Sequence, residues 1–132
     1  MGNRAVIAFK SEHIAKEDSP AIYLHWNGGR DSVEAYLAAA KILGIRWNDP
    51  TYCIARLTQI IGNSFGGYLS LGVGCFKNLD TNNYDNGVYW IADGEIVERE
   101  FFEGKEQNQH NYDEFVAEIV KDNKKHFCID EE

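Results

Sequence analysis

The chain has 132 residues, of which 44% are hydrophobic, and a formal net charge of −8. This length is typical of one domain with its own core, and the composition excludes the disordered classes. We expect neither a membrane span nor a secretory signal, because no apolar run is long enough for either. The acidic charge argues against direct nucleic-acid binding, and it either suits a basic protein partner or simply keeps the protein soluble.

The three cysteines, Cys53, Cys75 and Cys128, are widely spaced and form no C-x-x-C motif. An odd number at such spacings predicts a reducing compartment and argues against a disulfide scaffold or a zinc site. Cys53 and Cys75 fall on predicted apolar faces, where cysteine usually packs as a small hydrophobic residue. A nucleophile pair of either one with His25 lacks a supporting motif, so we assign no catalytic residue and no metal site.

The N-terminal part of the chain predicts a strand hairpin. Residues 4–10, RAVIAFK, and residues 22–26, IYLHW, are short runs rich in β-branched and aromatic side chains. The polar segment 11–20 between them ends in Ser19-Pro20, which is typical of a loop that stops before a strand. We therefore expect two paired strands joined by a loop of about ten residues.

Two helices are predicted next. After the second strand, apolar residues recur at helical spacing, with Asp31 and Glu34 placed as a capping box and Gly44 as a left-handed C-cap. Asp49 and Pro50 are the residue types preferred at the N-cap and first position of a second helix. The connector is short, so the two helices should pack against each other.

The C-terminal half predicts three strands and a helix. Residues 68–76 alternate between apolar residues and small residues, as a strand does. Residues 88–91 and 95–102 flank an Asp-Gly dipeptide at 93–94, which favours a type I′ hairpin turn. Asp113 can cap a third helix over about the next eleven residues.

The predicted order of elements is therefore β-β-α-α-β-β-β-α. Strands and helices that fall in separate blocks indicate the α+β class rather than alternating α/β units. We predict a single α+β domain over residues 1–132, with a mostly antiparallel sheet of about five strands, helices packed on one face and a frayed C-terminal end.

The string most suggestive of function joins the second strand to the first helix: Asn27, Gly28, Gly29, Arg30, Asp31 and Ser32. Backbone N–H groups at a helix start, helped by glycines, can hold an anion. The string resembles the PP-loop of ATP pyrophosphatases, S-G-G-x-D-S, with Asn27 in place of the opening serine. The resemblance implies that the loop binds pyrophosphate, with ATP and magnesium as cofactors and adenylation of a substrate as the reaction.

The alternative interpretation of this string is a tight turn followed by a helix cap. The chain lacks the alternating strands and helices of a nucleotide-binding fold, which favours the turn. Arg30 is the residue that a turn does not explain. If a ligand binds here, we expect Arg30 to act with His25 and Asn27, although His25 could equally be a packed or edge histidine.

Residues 80–87 form a second candidate, a loop rich in Asp and Asn whose oxygens could hold calcium. The order of an EF-hand loop is not met, because Ile91 stands where the bidentate glutamate belongs. Asn and Asp also favour turns for local reasons. We therefore predict a loop without a metal ion.

Tyr89 and Trp90 are neighbours in a predicted strand, so their side chains point to opposite faces of the sheet. One of them is a candidate for an exposed aromatic that binds a protein partner, because Tyr and Trp dominate interface hot spots. The alternative is a sheet covered on both faces, which would bury both side chains.

Three strings carry a wider resemblance: GNRAVI from residue 2, IYLHWNGGRDSVEAYL from residue 22 and DNGVY from residue 85. They resemble a family of small proteins carried by bacteriophages and other mobile elements, and the likeness spans residues 2–108. The resemblance implies a setting, an accessory protein in the cytoplasm of a bacterial host. By analogy with other small acidic phage proteins, it also suggests inhibition of a bacterial defence protein, as anti-CRISPR proteins do.

Three functional hypotheses remain open. The first is a non-enzymatic accessory protein, without a cofactor, that binds a host or phage protein through an exposed aromatic and acidic surface. The second is a nucleotide or phosphate-compound binding protein that uses residues 27–32. The third is a structural component of a virion or a homodimer.

Overall fold

A computed structural model of the protein describes residues 3–64, 70–106, 108 and 110–124. The predicted first residues of the third strand and the C-terminal tail lie outside these ranges. The elements are β1 (Ala5–Phe9), β2 (Pro20–Leu24), α1 (Arg30–Leu43), α2 (Pro50–Ser64), β3 (Leu71–Cys75), β4 (Val88–Ala92), β5 (Glu95–Glu100) and α3 (Tyr112–Lys124). Their order confirms the predicted α+β class.

The five strands form one mixed sheet in the order β3-β2-β1-β4-β5. The pairs β1–β2, β2–β3 and β4–β5 are antiparallel, and β1–β4 is parallel. The two predicted hairpins are therefore present, and the parallel pair joins them at the centre of the sheet. All five residues of β1 are buried, as expected of a central strand covered on both faces.

One face of the sheet packs against all three helices. Side chains alternate along β1, and Ala5, Ile7 and Phe9 lie in the main core. The helices contribute to the same core the side chains of Val33, Tyr36, Leu37, Ala40, Cys53, Leu57, Ile60, Ile61, Phe115 and Ile119. The prediction that the helices pack on one face is confirmed.

The opposite face of the sheet carries a smaller core. Val6, Ala8 and Trp90 belong to this second cluster, and Phe76 and Leu79, which follow β3, pack against it. The rings of Phe76 and Trp90 lie 4.9 Å apart between centroids. The sheet is thus covered on both faces, which confirms the alternative that both aromatic neighbours in β4 are buried.

The N-terminus of α1 differs from the predicted capping box. Gly29 is the N-cap, with an extended backbone and no side-chain cap, and the helix begins at Arg30. Glu34 pairs instead with Arg30, Nε to Oε2 at 2.9 Å. The prediction of an Asp31–Glu34 capping box is therefore wrong, because the helix starts two residues earlier than the pattern indicated. The C-cap at Gly44, with φ of +86°, is confirmed.

Of the predicted N-caps of α2 and α3, the first is confirmed and the second is wrong. Asp49 Oδ1 accepts hydrogen bonds from the N–H groups of Thr51 at 3.1 Å and Tyr52 at 3.4 Å, as an N-cap does. The helix α3 is capped by Asn111 rather than Asp113, because Asn111 Oδ1 accepts the N–H of Glu114 at 3.0 Å.

The turn between β4 and β5 is confirmed. Asp93 has φ of +53° and Gly94 has φ of +79°, and a type I′ turn requires positive values at both positions.

Candidate functional site

The turn at residues 27–32 is fixed by its close approach to the N-terminal strand. Gly28 donates its N–H to the carbonyl oxygen of Asn3 at 2.9 Å. A Cβ at Gly28 would lie 2.6 Å from both that oxygen and the Cβ of Ala5. Asn27 has φ of +57°, a left-handed conformation that asparagine tolerates. The glycine is therefore needed for backbone contact within the fold.

The carbonyl groups of the same turn are held by two tyrosines. The Tyr36 hydroxyl donates to the Asn27 oxygen at 3.0 Å, and the Tyr89 hydroxyl donates to the Gly28 oxygen at 2.7 Å. Tyr89 is fully buried, and burial raises the pKa of its hydroxyl well above the usual range, so it remains a neutral donor. Its role in the fold is to anchor this turn, and the expectation of an exposed aromatic at Tyr89 is wrong.

Trp90 is likewise buried rather than exposed. Its indole Nε1 donates to Glu100 Oε1 at 2.8 Å across the hairpin. Burial opposes ionisation of Glu100, but hydrogen bonds from Lys16 and Trp90 outweigh it and lower the pKa of this carboxyl. The second predicted partner-binding aromatic is therefore a core residue as well.

The start of α1 is covered by the connector that follows β5. Asp31 Oδ1 accepts the N–H of Ser32 at 2.8 Å, and Asp31 Oδ2 accepts the N–H of His110 at 2.8 Å. The His110 ring stacks on Phe115 with centroids 3.9 Å apart. Ser32 is fully buried beneath these contacts. The N–H groups of Gly28 and Ser32, which a phosphate-binding loop would aim at its ligand, already have acceptors in the protein.

Arg30 links the turn to the connector. Its guanidinium contacts Glu34 at 2.9 Å and Glu106 Oε2 at 3.5 Å. The hydrogen bond with Glu34 is the main cause that raises the pKa of Arg30, with further support from Glu106. These ion pairs give Arg30 a structural role. They account for an arginine at this position, which the turn alone did not explain.

Arg99 completes this network from β5. Its guanidinium contacts Glu106 with both carboxylate oxygens, at 3.1 and 2.8 Å, and donates to the Asn86 carbonyl oxygen at 2.8 Å. It lies 3.9 Å from the ring centroid of Tyr89 and 4.0 Å from that of Phe102. The sequence did not predict that Arg99 lies between these two rings, because the residues involved are separated along the chain and form no motif.

His25 lies apart from this network. It is exposed just after β2, with Nδ1 3.0 Å from the Tyr23 hydroxyl and its ring edge-on to Trp26 at 4.8 Å. Arg30 contacts two glutamates, and the carbonyl of Asn27 contacts Tyr36. The three residues that we expected to share a ligand thus make their contacts with different partners.

The loop at residues 80–87 is organised as a turn. Asn83 Oδ1 accepts the N–H groups of Asp85 at 3.1 Å and Gly87 at 3.0 Å. Arg4 Nε contacts Asp85 Oδ2 at 2.7 Å. Burial opposes ionisation of Asp85, but the hydrogen bonds and charge of Arg4 prevail and lower the pKa of the carboxyl. Within the described ranges, no group of three His, Cys, Asp or Glu side chains is placed to hold a metal ion.

An open cleft lies beside this loop. It has a volume of about 550 Å³ and is lined by Asn82, Tyr84, Asp85, Phe101 and Glu103, and we call it the aromatic cleft. Tyr84 is 87% exposed and Phe101 is 48% exposed. Their φ values are +63° and +55°, in the left-handed region that bulky side chains rarely adopt.

The two sides of the aromatic cleft are joined at Gly87. A Cβ there would lie 2.1 Å from the carbonyl oxygen of Glu100 and 2.5 Å from that of Phe101. This close approach brings the loop against the end of β5. The sequence analysis singled out neither Tyr84 nor Phe101, and its aromatic candidates were Tyr89 and Trp90. The signal that could have singled out Tyr84 is its position among Asp and Asn residues in a polar loop.

Comparisons of the chain with protein-family models, with curated proteins and with solved structures find no match. The resemblances to a phage family and to the PP-loop therefore stay predictions. In the part of the chain that the structure describes, none of the helices is long and apolar enough to cross a membrane.

Proposed function

We propose that this protein is a non-enzymatic accessory protein of a bacteriophage or other mobile element. In this proposal it acts in the bacterial cytoplasm by binding a host or phage protein through the aromatic cleft, and it thereby inhibits a defence function of the host. The observation that carries the proposal is the exposure of two aromatic side chains, Tyr84 and Phe101, at one cleft.

The two rings of the aromatic cleft are exposed together at one site. Tyr89 and Trp90 are buried in the fold, and Trp26 and Tyr112 are exposed but do not line this cleft. Tyr84 is 87% exposed, and its ring therefore adds little to the stability of the folded state. Aromatic residues that the fold does not need for packing are the usual anchors of protein–protein interfaces.

The backbone at these residues supports the same proposal. A left-handed conformation at a non-glycine residue costs on the order of 1–2 kcal/mol. Both Tyr84 and Phe101 adopt it. Conformations of this kind cluster at binding sites, where they hold a side chain in a position that relaxed backbone would not give. A binding role accounts for the use of aromatic residues where glycine or asparagine would fit more easily.

The experiment is a quantitative pull-down from bacterial lysate with three baits. These are the wild type, the double variant Tyr84→Gly/Phe101→Gly, and Tyr112→Ala, which removes an exposed aromatic at the start of α3. We expect a specific protein to be enriched by the wild type and the Tyr112 control and lost with the double variant. Equal capture by all three baits, or no enriched protein, would contradict the proposal. Inhibition is then measured on the captured partner.

A second candidate function is supported by one observation at residues 27–32. Ser32 Oγ is buried in the first turn of α1 and has no hydrogen-bond partner in the protein. A phosphate compound bound there would use this hydroxyl, but the connector that carries Glu106 and His110 would have to move. The test is a thermal-shift screen with ATP and magnesium and with inorganic phosphate. An unchanged melting temperature, or the same shift in Ser32→Ala, removes this candidate.

A further inference from the structure

The aromatic cleft combines two features that attract cations. The faces of aromatic rings carry partial negative charge, and an ammonium or guanidinium group binds over them. Tyr84 and Phe101 supply such rings at the cleft, and Glu103 supplies a carboxylate. Glu103 is exposed and forms no ion pair with any of the described residues.

The balance of charge at the cleft is negative. Asp85 is neutralised by Arg4, whose Nε lies 2.7 Å from its carboxylate. Asp80, whose side chain is half exposed, lies 3.8 Å from the same arginine. One arginine thus faces two aspartates, and Glu103 adds a further negative charge. The net charge of −8 makes the electrostatic potential around the protein negative as a whole, which favours the approach of a basic partner.

A partly buried site beside β5 contains the same combination with its cation already bound. The Arg99 guanidinium lies between the rings of Tyr89 and Phe102, at 3.9 and 4.0 Å from their centroids, and Glu106 pairs with it at 2.8 Å. This protein therefore already holds one guanidinium group between two rings and a carboxylate, with the carbonyl oxygen of Asn86 as a further acceptor at 2.8 Å.

We propose that the aromatic cleft receives an arginine side chain from a basic segment of the partner protein, with the guanidinium over Tyr84 and Phe101 and paired with Glu103. This inference rests on the proposed function and names the chemistry by which the partner is recognised. Arginine suits the site better than lysine, because its planar group stacks on rings and pairs with a carboxylate at the same time.

The test is an NMR titration of the isotope-labelled full chain with two matched peptides. One is a short glycine–serine peptide that contains arginine, and the other carries citrulline at the same positions, which keeps the shape and removes the charge. We expect the arginine peptide to shift the amide resonances of residues 82–85 and 101–103. We expect the citrulline peptide to bind about tenfold more weakly, since it loses both the cation–π contacts and the ion pair.

Variants of the chain separate this site from general attraction to an acidic protein. Tyr84→Gly/Phe101→Gly keeps the net charge, and we expect about tenfold weaker binding of the arginine peptide. Glu103→Gln, at an exposed position, should weaken it by roughly threefold. Tyr112→Ala should leave it unchanged. Equal binding of the two peptides, or equal binding of wild type and double variant, would overturn the inference.

The failure of this inference differs from the failure of the proposed function. A partner that is captured through Tyr84 while the protein shows no preference for arginine over citrulline overturns the inference and keeps the function. A clear preference for arginine, with no protein enriched from lysate, supports the inference and contradicts the function.

Discussion

Replacement of Tyr84 by glycine should remove a ring that serves binding while leaving the fold as stable as before. The left-handed backbone at Tyr84 costs a non-glycine residue about 1–2 kcal/mol, which glycine does not incur. Glycine in turn loses about 0.5–1 kcal/mol through the greater freedom of the unfolded chain. Because the residue is 87% exposed, the ring contributes only about 0.3 kcal/mol of buried apolar surface.

The sum of these contributions places the stability of Tyr84→Gly between about 0.3 kcal/mol below and about 1.2 kcal/mol above that of the wild type. Deletion of a buried aromatic side chain, in contrast, typically costs 3–5 kcal/mol. The matched control is Tyr84→Ala, which removes the ring but keeps the Cβ and therefore the unfavourable backbone. We expect the alanine variant to be about 1 kcal/mol less stable than the glycine variant.

The assay is urea unfolding followed by far-UV circular dichroism, with the midpoint and the slope fitted for each variant. An unchanged slope shows that the variants differ in stability and not in the compactness of the unfolded state. A loss of more than about 2 kcal/mol in Tyr84→Gly would refute the reasoning, because it would make the ring part of the folding core. Equal stabilities of the glycine and alanine variants would refute the left-handed conformation.

Three further predictions concern the candidate sites. Gly28→Ala should cost at least about 2 kcal/mol of unfolding free energy, because its Cβ would lie 2.6 Å from neighbouring backbone and side-chain atoms. The control Gly62→Ala lies inside a helix with its nearest contact at 3.7 Å, and it should gain up to about 1 kcal/mol. Similar values for the two variants would contradict this account. Glu106→Gln should lower the free energy of unfolding by about 1–2 kcal/mol, since it deprives two arginines of a shared carboxylate. The control Glu34→Gln, at an exposed position, should lower it by under about 0.5 kcal/mol. Urea unfolding measures both values, and the reverse order would argue against the network. Because the pKa of Asp85 is lowered in the folded state, its contribution to stability is present above about pH 4 and is lost as the pH falls through the folded pKa. Asp85→Asn should therefore flatten the decline in melting temperature below about pH 5. An unchanged pH profile of the melting temperature would count against this role.

Most features that depend on residues close together in the sequence were predicted correctly, and most features that depend on distant residues were not. The Asp-Gly turn between β4 and β5, the cap at Asp49 and the left-handed Gly44 were predicted correctly, because each depends on residues within a few positions. The capping box at Asp31 is wrong because the helix already begins at Arg30, directly after a turn that is held by the hydrogen bond from Gly28 to Asn3. Local rules do not include a contact with a strand that is distant along the chain.

The candidate site was predicted less well than the fold, for the same physical reason. The string at residues 27–32 has the composition of a ligand loop, and only the folded chain reveals that two tyrosine hydroxyls and a covering connector occupy its polar groups. Conversely, nothing in the neighbourhood of Phe101 along the sequence distinguishes an exposed ring from a buried one. Exposure depends on which segments pack above a residue, and those segments are distant in the chain.

The sequence by itself determined the order of elements, the two hairpins, the helical faces and the acidic charge, because helical and strand periodicities and turn stereochemistry are properties of neighbouring residues. The tertiary structure alone decided the parallel pairing of β1 with β4, the second core around Trp90, the network of Arg30, Glu106 and Arg99, and the exposure of Tyr84. These features arise when residues distant along the chain, such as Val6 and Val88, compete for burial and for hydrogen-bond partners, and that competition is resolved only by the folded chain as a whole.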